Sequence, residues 1–171
     1  MVREYTVALG SQRYLLQRPW PSDDFDFDDI DTYVFDAFKQ RAKEYGELTY
    51  SELNLPIDVL LSKLDLVKDG RPTRAAVLLF CNDPVSISPA AKTVMVRMKD
   101  SEPMFSDELN VPMYSQVDLI SKLFATKYTE SPRTYDGMAN IENHPYPMDA
   151  VREAVLNAIV NTDYGLKKDR K

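Results

Sequence analysis

Apolar residues recur along this chain in two rhythms, alternating in some stretches and returning every three or four positions in others. Near the start, Tyr5, Val7 and Leu9 alternate with polar or small residues before Gly10-Ser11, and Arg13 to Leu16 resumes the apolar run, which predicts a strand, a turn and a second strand. Pro19 to Asp31 holds two prolines and six aspartates and reads as an extended surface connection, with Phe25 and Phe27 placed to anchor it in a groove. Asp28 or Asp29 then caps a helix over residues 29–44, in which Tyr33, Val34, Ala37, Phe38 and Ala42 form the packing stripe and Lys39, Arg41 and Lys43 face away. It ends near Gly46. A second helix is predicted over 56–66, with Pro56 in its first turn and Leu60, Leu61, Leu64 and Leu66 as its apolar side, closed by the turn Lys68-Asp69-Gly70.

Ala75 to Cys81 is almost continuously apolar and is bounded by Pro72-Thr73 and Asn82-Asp83-Pro84, so it is expected to be a buried central strand. Thr93 to Met98, where Val94, Val96 and Met98 alternate with Thr93, Met95 and Arg97, is its plausible partner. Asp100 to Pro112 carries acids and two prolines and reads as a loop with a short strand around Leu109 to Val111. Helical spacing returns through Val117, Ile120, Leu123 and Phe124, giving a helix over 113–127. Arg133 to Tyr146 is a loop or short hairpin, and a last helix covers 147–163. The whole is an α+β (mixed α/β) fold with a small central sheet flanked by helices. It divides into residues 1–70, 71–146 and 147–171.

Charge narrows the functional classes. With 27 acidic against 21 basic residues the net charge is -6, so no overall basic field draws in a polyanion. The two early helices resemble a helix-turn-helix in spacing, but Lys63 is the only basic residue in the body of the second, too few for phosphate contacts. The single cysteine, Cys81, is expected to be a small buried hydrophobe. No run reaches the roughly 20 apolar residues a membrane-spanning helix needs, and residues 1–20 lack an uninterrupted signal-peptide core. These features fit a cytoplasmic protein without membrane partners.

Chemistry is concentrated in the last helix. Glu153, Asn157 and Asn161 follow one another at four-residue steps and share a face, while Val151, Val155, Ile159, Leu156 and Val160 make the opposite side. Small Ala150, Ala154 and Ala158 beside this ladder leave room for a ligand. A carboxylate can orient a water, and an amide oxygen can join the octahedral shell of Mg²⁺ held by nucleotide phosphates. The alternative is a solvated helix face. Asp23, Asp24, Asp26, Asp28 and Asp29 lack the glycine and terminal glutamate of a calcium loop and read as a capping run. His144 has no ligand partners and reads as a loop residue. The basic tail Lys167, Lys168, Arg170 and Lys171 reads as a frayed terminus.

The stretch YPMDAVREAVLNAIVNTDY, residues 146–164, resembles the YPxxAxREAxxNAxxHRDY signature of bacterial-type transcriptional regulators that join a Schlafen/AlbA-type domain to a histidine-kinase-like (GHKL) ATPase module. Upstream, DGRPTRAAVLLFCNDP is similar to that family's GxxTxAxxLLFGxxP element; the two motifs are the most specific part of the match, and residues 1–70 follow more loosely through LLSKLDLV. The resemblance implies that Glu153 activates water, that Asn157 binds Mg²⁺ through the nucleotide, and that Asn157, Asn161 and Asp163 line the ATP site. Asn161 and Thr162 stand where the family has His and Arg, and Asn82 where it has Gly. It further implies that the chain is a middle fragment: a DNA-binding domain would precede it, and the glycine-rich remainder of the nucleotide site would follow. The fragment alone would then be a regulatory linker without ATP turnover, and the full-length protein an ATP-binding or ATP-hydrolysing switch. An oligomerisation module with Met95, Met98, Met104, Phe105 and Met113 as contact surface is the third expectation.

Overall fold

The structure, a computed structural model, describes residues 25–129, 133–136, 139–142 and 146–164. The strand pair expected before residue 20, Asp23, Asp24, His144 and the basic tail lie outside the described residues.

Helix α1 spans Thr32–Glu44 and is capped by Asp31, whose side chain accepts from the N–H groups of Tyr33 and Val34 at 2.8 and 3.1 Å. The cap is therefore neither Asp28 nor Asp29. Those two belong to a single 3₁₀ turn, Phe27–Asp29, closed by a reciprocal capping box between Asp26 and Asp29. What delays the helix is a contact with a distant segment: Ile30 is buried and forms an isolated antiparallel bridge with Cys81, and the Asp31 N–H donates to the Phe80 carbonyl at 2.9 Å. The inward face is Val34, Phe35, Phe38 and Ala42, whereas Tyr33 is 83% exposed and Ala37 is also exposed, so part of the expected stripe faces solvent. Gly46, at φ +70°, supplies the left-handed residue that ends the helix.

Helix α2 is Ile57–Lys63, shorter than expected because Asp65 turns left-handed (φ 58°) and lets the Leu66 N–H return to the Leu61 carbonyl. Leu60 and Leu61 are fully buried. Strands β1 (Val67–Lys68) and β2 (Arg71–Pro72) then pair around Asp69-Gly70, both at positive φ, as a two-residue hairpin turn requires.

Arg74–Phe80, expected to be the central strand, is helix α3. Thr73 caps it, its hydroxyl accepting from the Ala76 N–H at 3.3 Å, and Ala, Leu and Leu are good helix formers. An apolar run of this length cannot be assigned by periodicity, because a helix enclosed on every side is apolar all round. Each residue from Ala75 to Phe80 is buried. The core thus has a helix, not a sheet, at its centre. Phe80 meets Phe35 edge-on at 5.1 Å and Phe38 at 5.3 Å between ring centroids, and Tyr114 closes the group against Phe38 at 5.7 Å.

After two proline-initiated 3₁₀ turns, Pro84–Ser86 and Pro89–Ala91, strands β3 (Thr93–Lys99) and β4 (Glu102–Leu109) form an antiparallel hairpin around Asp100-Ser101. Most of β4 was expected to be loop. Two of its acids pair with neighbouring cations, Lys92–Glu108 at 2.8 Å and Lys127–Asp107 at 2.6 Å, and Pro103 sits beside a bulge where the register shifts between Arg97 and Met98. Helix α4, Met113–Leu123, runs on into a π-helical turn, Phe124–Tyr128, and packs its Met113, Tyr114, Val117 and Ile120 inward. Gln116 is also buried, donating to the carbonyls of Ala91 and Val111 and accepting from Thr93, so the hairpin's start is tied to α4 by one amide. Strands β5 (Arg133–Asp136) and β6 (Ala139–Glu142) form a third hairpin, as expected, and α5 is Met148–Val160.

The fold is α+β, with three separate two-stranded antiparallel sheets among the described residues and a helical core. One hydrophobic cluster draws on all three sequence segments, from Ile30 through Leu78 and Val117 to Ile159 and Tyr164. No helix among the described residues is long and apolar enough to cross a membrane.

Candidate functional site

Helix α5 begins after Pro147, which fits the first turn because it lacks an N–H, and Asp149 lies in that turn where the helix dipole favours an acid. Only Leu156 and Ile159 of its thirteen residues are buried. Val151, Val155 and Val160, expected to face the core, are only half-buried. The opposite side is open: Glu153, Asn157 and Asn161 are exposed, and so are Ala150, Ala154 and Ala158.

Glu153 and Asn157 meet on this open side. The Asn157 amide donates to the Glu153 carboxylate at 3.2 Å, one turn apart. That use of the N–H leaves the amide oxygen, the atom suited to Mg²⁺, on the same exposed face. Asn161 does not complete the ladder. It is the C-cap residue, and its side-chain amide folds back to the Asn157 carbonyl at 2.8 Å. Thr162 likewise returns to the Ala158 carbonyl. Asp163 is exposed and lies near enough to Arg74 to act on its charge, away from the Glu153–Asn157 pair along the helix. The structure therefore brings two of the four expected residues together as a polar pair and gives the other two capping and charge-pairing roles. Among the described residues no three His, Cys, Asp or Glu side chains converge as a metal set.

Two devices that the sequence reading did not single out hold α5 in place. At its C-terminal end the Tyr164 ring is buried, with its hydroxyl donating to the Ile159 carbonyl at 2.5 Å and its pKa pushed up to about 12 by that burial. Arg74, at the start of α3, donates to the Tyr164 carbonyl at 3.0 Å and to the Ile87 carbonyl at 3.1 Å. At the other end Arg152 pairs with Asp118 of α4, which also takes Arg41 of α1 at 2.6 Å. Arg41, expected to face away with Lys39 and Lys43, thus turns inward. Burial works to raise the Asp118 pKa, but the hydrogen bonds from Arg41 and Arg152 outweigh it and hold the carboxyl below its ordinary range. A sequence signal for this pair existed: Arg152, Leu156 and Ile159 are spaced i, i+4, i+7, which places a charge on the buried stripe.

Elsewhere, Asp26 and Asp29 form the capping box of the 3₁₀ turn, with the Asp28 N–H as one of its donors, and Phe25 and Phe27 line a shallow groove with Gly70, Arg71 and Pro72. Cys81 is buried, with its thiol pKa raised by burial. Of the expected contact surface, Met98 and Met104 are exposed beside Val94 and Val96, whereas Met95 is half-buried, Phe105 packs on Tyr128 at 5.1 Å and Met113 is 1% exposed. Met113 belongs to the core. Comparison with protein-family models, with curated proteins and with solved structures finds no match.

Proposed function

We propose that the chain is the regulatory linker of a cytoplasmic transcriptional regulator, coupling an upstream DNA-binding unit to a downstream ATP-binding module whose first helix is α5. One observation carries this reading: α5 is fastened on one side and, on the other, presents a hydrogen-bonded carboxylate–amide pair next to three exposed alanines. Alanines suit any helix, and beside this pair their small side chains also leave open space against the backbone that a ligand can occupy. In this reading Glu153 orients the attacking water and Asn157 joins the shell of the nucleotide-bound Mg²⁺, with the resemblance of residues 146–164 to the GHKL-linked signature as the second support. The resident group is Mg-ATP, and the residues that would hold it here form one wall. Calorimetric titration of the complete protein with Mg-ATP, repeated on Glu153→Ala and Asn157→Ala, tests the reading. Binding that both substitutions abolish supports it, and binding that neither changes removes it.

A second reading, an oligomerisation module, is favoured by the outward face of the β3–β4 hairpin, where Val94, Val96, Met98 and Met104 are each about half exposed. A mass from light scattering that stays monomeric at high concentration, and does not change with Val96→Lys, eliminates it.

A further inference from the structure

The polar pair on α5 is useful only if the helix is held at one rotation about its axis, and over its first two turns the apolar contacts are partial, with Met148 and Val151 half-buried and Val155 packed on the edge of the core. None of the side chains from Met148 to Val155 is buried. Burial begins at Leu156 and continues with Ile159 and Tyr164. Arg152 takes the position on the same stripe one turn before Leu156, and there the contact is ionic.

The three charges form a layer of their own. On α1, Arg41 lies one turn beyond Phe38; on α4, Asp118 lies one turn beyond Tyr114. Phe38 packs edge-to-face with both Phe80 and Tyr114, so the Arg41, Asp118 and Arg152 layer follows one turn beyond the aromatic one. Within it the two carboxylate oxygens are divided: Oδ2 accepts from Arg41 Nη1 at 2.6 Å, and Oδ1 accepts from Arg152 Nη1, with Arg41 Nη2 at 3.5 Å. Side-chain exposures of 30%, 43% and 23% for Arg41, Asp118 and Arg152 place the layer at the rim of the core, where ion pairs add little to stability. Direction is what such a pair supplies, because a guanidinium bonds a carboxylate along fixed N–H vectors whereas a leucine would slide. Glu153 follows Arg152 by one residue, about 100° around the helix, so fixing Arg152 fixes where the carboxylate points.

We propose that Asp118 is the positioning residue for the Glu153–Asn157 pair: it sets the rotation of α5 through Arg152 and ties that rotation to α1 through Arg41. This deepens the nucleotide reading and rests on it for its functional consequence. Movement of α1, the first long helix of the described chain, then reaches the carboxylate through two hydrogen-bonded contacts.

The test uses the complete protein with Asp118→Asn, Arg152→Gln and the charge-keeping Asp118→Glu, measuring thermal stability, amide hydrogen exchange and Mg-ATP affinity together. Expected are faster exchange confined to the first two turns of α5, little change in melting temperature, and affinity weakened roughly tenfold by Asp118→Asn and Arg152→Gln, the size seen when an orienting partner is removed. Asp118→Glu should recover part of it. Unchanged exchange in α5 overturns the proposal, as does faster exchange spread equally over α3, which would mark a merely structural bond. Faster exchange in α5 with undiminished affinity also overturns it. If the unaltered protein binds no Mg-ATP, the nucleotide reading fails separately, and the exchange pattern alone then decides whether Asp118 orients the helix.

Discussion

Helices α3 and α5 have similar ingredients, alanines and aliphatic residues in near-continuous series, and opposite surroundings. Every side chain from Ala75 to Phe80 is buried, whereas α5 buries only Leu156 and Ile159. In α3 the alanines are small because neighbours press on all sides. In α5 the alanines are exposed, so they favour the helix without being pressed by neighbours. The same residue type therefore lies in close packing in one helix and on an open face in the other, beside the polar pair.

This contrast can be broken most forcefully in α3. Phe80→Ala removes a ring that touches three other aromatics and should cost about 3–5 kcal/mol, read from the midpoint of denaturant unfolding. Leu156→Ala, at the margin of the same core, should cost about 2 kcal/mol. A larger loss there than at Phe80 would mean that α5 is a core helix after all. Glu153→Ala and Asn157→Ala should each change stability by no more than about 0.5 kcal/mol, as for exposed positions, even where they abolish a ligand.

Acid sharpens the difference further. Because the Asp118 carboxyl is held below its ordinary range, its contribution is complete above the unfolded value of about 3.9 and is lost as pH falls through the lower folded value. Protection from hydrogen exchange, taken relative to the intrinsic rate at each pH, should therefore fall at the start of α5 only below about pH 4, while α3, which has no carboxylate of its own, keeps its protection. Asp118→Asn should make α5 exchange at neutral pH as it does in acid. The smallest effect belongs to Glu52, whose pKa is lowered to about 2 by hydrogen bonds from Lys63 and Thr49. Thr49→Ala should move it part of the way back toward 4.5, measurable by carboxyl NMR titration.

Much of the fold was legible where one face of an element is wet. Helices α1, α2, α4 and α5 and strand β3 lie close to their expected places because periodicity records a boundary between core and solvent. That signal vanishes for α3, which has no wet side, so the run Ala75–Cys81 read as a strand. Strand β4 was hidden for the converse reason: Glu102, Asp107, Glu108 and Pro103 look like loop residues, and only the partners Lys92 and Lys127 and the bulge make them acceptable in a ladder. On β3 the alternation was read correctly, yet Val94, Val96 and Met98 point outward while Thr93, Met95 and Arg97 are half-buried. At the site, the spacing of Glu153 and Asn157 announced their contact. The return of Asn161 to its own backbone could not be read from spacing, because a C-cap is set by where the helix stops.

The two hydrogen bonds of Arg74 join positions of very different age in a growing chain. The carbonyl of Tyr164 is made 90 residues after the guanidinium that binds it, while that of Ile87 follows within 13. Desolvation already depresses the Arg74 pKa in the finished protein, with Asp163 as the counterweight. A ribosome-bound chain that has emitted the first four helices holds this cation without its late acceptor or its late acid, so enclosing it costs more at that stage than at the end. Closure of the α3 terminus is therefore coupled to docking of the end of α5, which brings the second acceptor and the acid to the guanidinium.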